Sequence, residues 1–344
     1  SRRQRQMCIR DSHTAAYDTA IANYFSEQLG QTPFPPEYLQ AYEKVTDLRY
    51  GENPHQKAAF YKEIGEASGM GAMKQLHGKE LSYNNIVDME AAWNMVWEFE
   101  EPAACIIKHT NPCGAAIGSD LHDAYVKAYE ADSVSAFGGI VALNREVDEA
   151  TATEMSKIFL EVIMAPKFSA KALTILTAKK NIRLIELAKP EADQVVVKKV
   201  SGGLLVQTED DLKEDETSYT VVTKVQPTEE QWQELRFAWK MVKHVKSNAI
   251  LIAKDLQTLG VGAGQMNRVG AAKIALEEAG EKAKGAVLAS DAFFPFGDTV
   301  ATAAEHGITA IIQPGGSIRD EESIAKADEA GIAMVFTHVR HFKH

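Results

Sequence analysis

The sequence predicts an α/β protein made of two tandem α/β units. Three observations carry this prediction. Short apolar runs alternate with stretches of helical periodicity along most of the chain. The length of 344 residues corresponds to about two domains, at roughly 150 residues each. The spacing D-x-x-x-x-F-G occurs twice, from Asp132 to Gly138 and from Asp291 to Gly297, which supports a repeat with a boundary near Ser201, Gly202 and Gly203.

In chain order, residues 1–12 carry Arg2, Arg3, Arg5 and Arg10 against one acid, Asp11, and read as foreign to the fold. Residues 13–29 place Tyr17, Ile21, Tyr24 and Phe25 on one helical face. Pro33, Pro35 and Pro36 then break the helix. Residues 13–36 therefore read as the last helix of an upstream domain and a linker, followed by units over 37–200 and 201–344. Helices are expected over 89–99 and 121–131, and strands over 105–108 and 140–143. Further strands are expected over 249–253, 285–289, 310–312 and 333–336. Residues 268–279 form a helix with Val269, Ala272, Leu276 and Ala279 at three-to-four spacing, ended by Gly280. The run 209–216, EDDLKEDE, reads as a solvated loop or linker.

Composition excludes several classes. Lys+Arg is 37 and Asp+Glu 48, a net charge of −11, which argues against a nucleic-acid partner. Cys8, Cys105 and Cys113 are too few for a disulfide framework or a four-cysteine zinc site. No run approaches the ~18 apolar residues of a spanning helix, so no membrane partner is expected and the cytosol is the expected location. A deaminase zinc site needs H-x-E and P-C-x-x-C. Pro112-Cys113 is followed by Ala116 where the second cysteine belongs, so no zinc is expected. Gly260, Gly262 and Gly264 suggest a dinucleotide loop, but Gln265 stands where its last glycine must be.

Four segments are rich in chemistry. Residues 49–56 combine Arg49, Tyr50, Asn53 and His55 around Gly51 and Pro54; Arg49 can fork onto a phosphate with Tyr50 beside it. Lys108 and His109 directly follow a buried strand, where α/β sheets place ligands. His109 can take a proton near neutral pH, and Lys108 can stabilise an oxyanion. Cys113 offers a rival thiol nucleophile. Phe293, Pro295, Phe296 and Asp298 form aromatic walls with one acid, suited to a flat heteroaromatic ring of the pterin kind. The tail, 340–344, can bring Arg340 to an anion.

Eleven segments together resemble the transformylase half of the AICAR transformylase/IMP cyclohydrolase family. They are LRYGENPHQ, LSYNNIVDMEAAW, IKHTNPCGAAIG, DSVSAFGGIVALN, EVIMAP, ALTIL, VKSNAIL, GVGAGQMNRV, SDAFFPFGD, QPGGSIRD and the terminal VRHFKH. The resemblance covers about residues 13–344 in order, and 13–25 is similar to the end of the family's cyclohydrolase domain. It implies two cytidine-deaminase-like α/β/α subdomains without the zinc. It implies formyl transfer from 10-formyltetrahydrofolate to the 5-amino group of AICAR, with no cyclohydrolase activity in this chain. By the resemblance His109, Lys108 and Asn248 are catalytic. Arg49, Tyr50, Asn85, Asp88, Glu161, Phe293 and Arg340 bind AICAR. Val134, Gly138, Phe293, Pro295, Phe296 and Asp298 bind the folate. A potassium ion near Val242, Val245, Ser247 and Asp291 is implied, as is a homodimer with active sites at its interface. A folate- or nucleotide-binding protein without turnover and a cysteine-dependent amidohydrolase are the alternatives.

Overall fold

The short apolar runs fold as strands of one large sheet. The computed structural model describes residues 2–28, 34–65, 68–191 and 195–344. The chain divides into two units, residues 1–73 with 190–212, and residues 74–189 with 213–344. Besides single helical turns, the larger unit reads β1 (Lys74–His77), α1 (Tyr83–Val96), β2 (Ala103–Lys108), β3 (Asn111–Ile117), α2 (Leu121–Ala131), β4 (Ile140–Leu143), α3 (Glu149–Met155), β5 (Val162–Ala165), α4 (Ala170–Thr177) and β6 (Arg183–Glu186). It continues with β7 (Thr220–Val221), α5 (Glu229–Val242), β8 (Ile250–Lys254), β9 (Gln257–Gly262), α6 (Arg268–Ala279), β10 (Val287–Ser290), α7 (Asp298–Glu305), β11 (Ala310–Gln313), α8 (Asp320–Ala330) and β12 (Ala333–Phe336).

All twelve strands belong to one sheet, in the order β7-β12-β11-β10-β8-β9-β3-β2-β4-β5-β6-β1. The order is a palindrome of the chain's two halves. In each half a hairpin (β2–β3, β8–β9) is followed by three mutually parallel strands and closed by an antiparallel edge strand. The halves join where Gln257 of β9 pairs with Ala116 of β3. Strands buried on both sides read as continuous apolar runs, as Ala103–Ile107 and Ile250–Ala253 do. Ala104, Ile106, Val141, Leu143 and Ile163 pack under α2, α3 and α4; Ile250, Ile252, Leu288 and Ile311 pack under α6, α7 and α8.

The two halves also match residue for residue at a spacing of 146 (228 − 82 = 146). Ser82 accepts from the Asn85 N–H while Asn85 Oδ1 accepts from the Ser82 N–H, and Thr228 and Gln231 repeat this capping box. An N-cap of this kind contributes about 0.5–2 kcal/mol. Ala92-Trp93-x-Met95-Val96 matches Ala238-Trp239-x-Met241-Val242, and Lys108, Gly114 and Gly118 match Lys254, Gly260 and Gly264. Gly114 and Gly260 are required by close packing. A Cβ on either would stand 1.9 Å from a carbonyl oxygen of the covering helix, Ala128 or Ala275.

The D-x-x-x-x-F-G repeat does not mark this duplication. Asp132 lies between α2 and β4, whereas Asp291 follows β10, the counterpart of β4. The expected helix over 89–99 is α1, which starts earlier, at its cap, and ends at Val96. The boundary expected at 200/201 falls in a hairpin of the smaller unit, Val195–Val200 paired with Gly203–Thr208. That unit also holds a second hairpin, Tyr42–Leu48 with Ala58–Glu63, and a helix, Arg2–Gln28. The helix begins well before residue 13 and runs unbroken past residue 12. Of the proline break, residue 33 lies outside the described residues. Within the acidic run, Glu214 is not freely solvated but half-buried among three hydrogen-bond donors. Among the described residues no helix is long and apolar enough to cross a membrane.

Candidate active site

The hairpin β2–β3 turns through His109 and Thr110, both with positive φ (53° and 63°). A two-residue hairpin needs this backbone, and for residues other than glycine it is costly unless something holds it. Asp88, on α1, does so. Its carboxylate accepts the Thr110 N–H at 2.7 Å. Burial raises the Asp88 pKa, and the Thr110 N–H pulls it back. Asp88 is thus engaged with the protein's own backbone, and the Asn85 side chain is engaged in the cap of α1. Neither could be placed by local pattern alone.

The hairpin leaves His109 exposed at its tip. Lys108 Nζ donates to the carbonyls of Ser135 (3.2 Å) and Phe137 (2.9 Å). An ammonium has three donors, so one remains for a ligand. Asn111 links this tip to the second half. Its Nδ2 donates to the His109 carbonyl (3.1 Å) and its Oδ1 accepts the Lys246 N–H (3.2 Å). One chain therefore brings His109 close to the segment that carries Asn248.

Asn248 stands in a dense polar network. Its Nδ2 donates to the Gln265 carbonyl (2.8 Å), leaving one N–H, and its Oδ1 accepts from Arg268 Nη2 (2.6 Å). Arg268 also pairs with Asp291, which is fully buried and accepts from the Ser247 hydroxyl and the Ala249 N–H (3.2 Å). The peptide bond between Ser247 and Asn248 is cis. The tail joins here too: the His341 N–H donates to the Asp291 carbonyl (3.0 Å), and Ser247 and Lys343 exchange hydrogen bonds. The tail is anchored, and Arg340 stands exposed with its guanidinium 4.2 Å above Phe342.

The segments implied to hold potassium, around Val242, Val245, Ser247 and Asp291, are the ones that build this network. Arg268 already supplies Asp291 with a positive charge, and the Val242 carbonyl accepts from the Val245 N–H (3.1 Å). Among the described residues no group of three or more His, Cys, Asp or Glu could hold a metal ion. Cys113 makes a poor nucleophile. Burial pushes its thiol up to about 12, and Sγ donates to the Ile106 carbonyl (3.3 Å).

Of the aromatic segment after β10, Phe294 belongs to the core, while Phe293 and Phe296 are 39% and 48% exposed. Arg319 lies 4.7 Å over the Phe296 ring, and Asp298 accepts the Thr299 N–H (2.8 Å) at the start of α7. Val134 is 84% exposed beside the Lys108 contacts at Ser135 and Phe137, and Gly138 has φ +71° next to Phe159. Glu161 pairs with Arg183 at 2.9 Å. Arg49 and Tyr50 belong to the smaller unit, on a turn closed by Gly51 N–H to the Gln56 carbonyl (2.8 Å). The Arg49 guanidinium lies 5.7 Å over the Tyr50 ring.

The family model described as AICARFT/IMPCHase bienzyme matches residues 1–278 of this chain. The "bifunctional purine biosynthesis protein PurH" of Bacillus cereus (strain AH820) is 60% identical over 335 residues, which is 96% of this chain and 65% of that protein. The proteins of the same name from Bacillus anthracis (strain A0248) and Bacillus thuringiensis subsp. konkukian (strain 97-27) match at the same identity and coverage. The chain thus spans just under two thirds of the length of these curated relatives. A solved chain of Acinetobacter baumannii RibD aligns with 31% of this chain and 33% of its own at 18% identity and a TM-score of 0.23, too slight a likeness to bear on the fold.

Proposed function

This chain belongs to the AICARFT/IMPCHase bienzyme family, and on that premise we propose that it transfers a formyl group from 10-formyltetrahydrofolate to the 5-amino group of AICAR, giving FAICAR and tetrahydrofolate. The observation that carries this reading is the clasped hairpin tip, which presents Lys108 and His109 together beside the segment of Asn248. An arylamine conjugated to a carboxamide is a weak nucleophile. As its nitrogen bonds to the formyl carbon, His109 takes the proton that nitrogen must lose. The carbonyl oxygen becomes an oxyanion, stabilised by the free donors of Lys108 and Asn248. The bond from that carbon to the folate nitrogen then breaks, and His109 returns the proton to the leaving nitrogen.

Arg49 with Tyr50, and Arg340, are the phosphate ligands of this reading. Asn85, Asp88 and Glu161 shape the nucleotide side; Val134, Gly138, Phe293, Pro295, Phe296 and Asp298 form the folate side. Each half of the larger unit is read as a cytidine-deaminase-like subdomain without zinc, and the working form as a cytosolic homodimer with sites completed at its interface.

The direct test mixes the protein with AICAR and 10-formyltetrahydrofolate and follows tetrahydrofolate. Formation of FAICAR without IMP supports the reading. No tetrahydrofolate contradicts it, and IMP made by this chain alone contradicts the expected absence of cyclohydrolase activity. Remixing His109→Ala with Asn248→Ala subunits tests the shared site. Regain of roughly a quarter of normal activity, through random pairing into half mixed dimers, means that the two residues come from different subunits. No regain, with subunit exchange confirmed by mass, places both in one subunit.

A further inference from the structure

The acidic run that looks solvated in the sequence contains a half-buried carboxylate with a structural task. The Glu214 side chain is 13% exposed and accepts from the Tyr219 hydroxyl (2.6 Å), Trp239 Nε1 (3.0 Å) and His341 Nε2 (2.7 Å). A carboxylate out of water is tolerated where charge-assisted donors replace its hydration. These donors come from three places: the loop before β7, helix α5 and the C-terminal tail. His341 is itself buried, with its ring 5.1 Å from that of Trp239. Its neighbours Arg340 and Phe342 both face outward. Exposed residues therefore flank the buried His341 on both sides, and seating His341 inward holds Arg340 on the outer side.

We infer that Glu214 is a positioning residue for phosphate recognition: by seating His341 it fixes where Arg340 stands. The inference rests on the proposed role of Arg340 toward the nucleotide phosphate. Glu214 acts through the tail.

The test combines kinetics with proteolysis on the full chain. Glu214→Ala should raise the KM for AICAR about tenfold while kcat stays within about twofold, the pattern of lost uniform binding. Glu214→Gln keeps an acceptor oxygen in place and should recover most of that loss. In an Arg340→Ala background, Glu214→Ala should add nothing further, whereas a merely structural role would still lower activity. Trypsin should release residues 341–344 faster from Glu214→Ala than from the parent protein. If Glu214→Ala does not fold, His341→Asn carries the same comparison. Independent, multiplying effects of Glu214→Ala and Arg340→Ala would overturn the inference, as would an unchanged cleavage rate. Faster cleavage with an unchanged KM would separate the tail from phosphate binding and overturn it too. A parent protein that forms no tetrahydrofolate would instead refute the proposed function, since cleavage of the tail is read without any substrate.

Discussion

The hairpins at Lys108 and Lys254 follow one plan and carry different tips. Both turn through two residues with positive φ, His109 and Thr110 in one, Asp255 and Leu256 in the other. Both are clasped by a carboxylate from the preceding helix. Asp88 accepts the Thr110 N–H, and Glu234, its counterpart 146 residues on, accepts the Leu256 N–H at 3.1 Å. In both, burial raises the pKa of the clasping acid. Both lysines tie down the segment before the next strand: Lys108 through Ser135 and Phe137, Lys254 through Lys284 (3.1 Å). Only the first tip bears an imidazole. The clasp and the tether belong to the scaffold, and the proposed function places the chemistry on the residues the scaffold leaves free.

A large contrast is expected at the lysines. Lys108→Ala should lower the rate of formyl transfer about 10²-fold or more through loss of oxyanion stabilisation. Lys254→Ala should leave the rate within about twofold and cost only about 1 kcal/mol for its lost hydrogen bond, read by denaturant unfolding. Equal losses of activity would make both lysines scaffold.

The glycines under the covering helices should instead behave alike. Gly114→Ala and Gly260→Ala each place a Cβ 1.9 Å from a helix carbonyl. Each should destabilise the fold by about 1–3 kcal/mol, as overpacking does. A loss at only one position would show that the duplication does not extend to packing.

Counterparts also meet directly. Glu98 and His244 stand 146 residues apart in sequence and 2.7 Å apart in space, with Lys243 on the same carboxylate. Burial acts to raise the Glu98 pKa, but His244 and Lys243 outweigh it and hold the carboxyl at about 2 against a usual 4.5. A carboxyl lowered in the fold contributes stability that is present above its unfolded pKa and lost as pH falls through the folded value. Roughly 3 kcal/mol should therefore disappear between about pH 4.5 and pH 2. Burial lowers the His244 pKa below 6.5, which starts a loss in the same direction at higher pH. Glu98→Gln should flatten the acid limb of a stability–pH curve; an unchanged limb would place the acid sensitivity elsewhere. The smallest effect is expected at Cys113. Its thiol is up at about 12, so Cys113→Ala and thiol alkylators should leave transfer nearly unchanged.

Local pattern made the secondary structure legible: β4, α2, α6 and β12 fall where their apolar periodicity places them. The duplication was also written in the chain, in Ala92-Trp93-x-Met95-Val96 and Ala238-Trp239-x-Met241-Val242. The D-x-x-x-x-F-G motif, at Asp132 and Asp291, has a different spacing (291 − 132 = 159) and marks no equivalence. Lys108 and His109 stood out because cation and imidazole follow a buried strand. The clasp of Asp88 and the seat of Glu214 did not. A carboxylate among polar neighbours reads as solvated, and its true partners lie 22 and 127 residues away. Periodicity reports which face of an element is apolar, not which distant donor will reach it.

The central claim is that one hairpin tip does the chemistry and its structural twin does not. The most direct measurement compares formyl transfer to AICAR by the parent protein, His109→Ala and Asp255→Ala under saturating 10-formyltetrahydrofolate. His109→Ala should lose about 10²–10⁴-fold in turnover, the range for a general acid–base group, while still binding AICAR. Asp255→Ala should turn over within about twofold of the parent. A His109→Ala protein as active as Asp255→Ala would contradict the account.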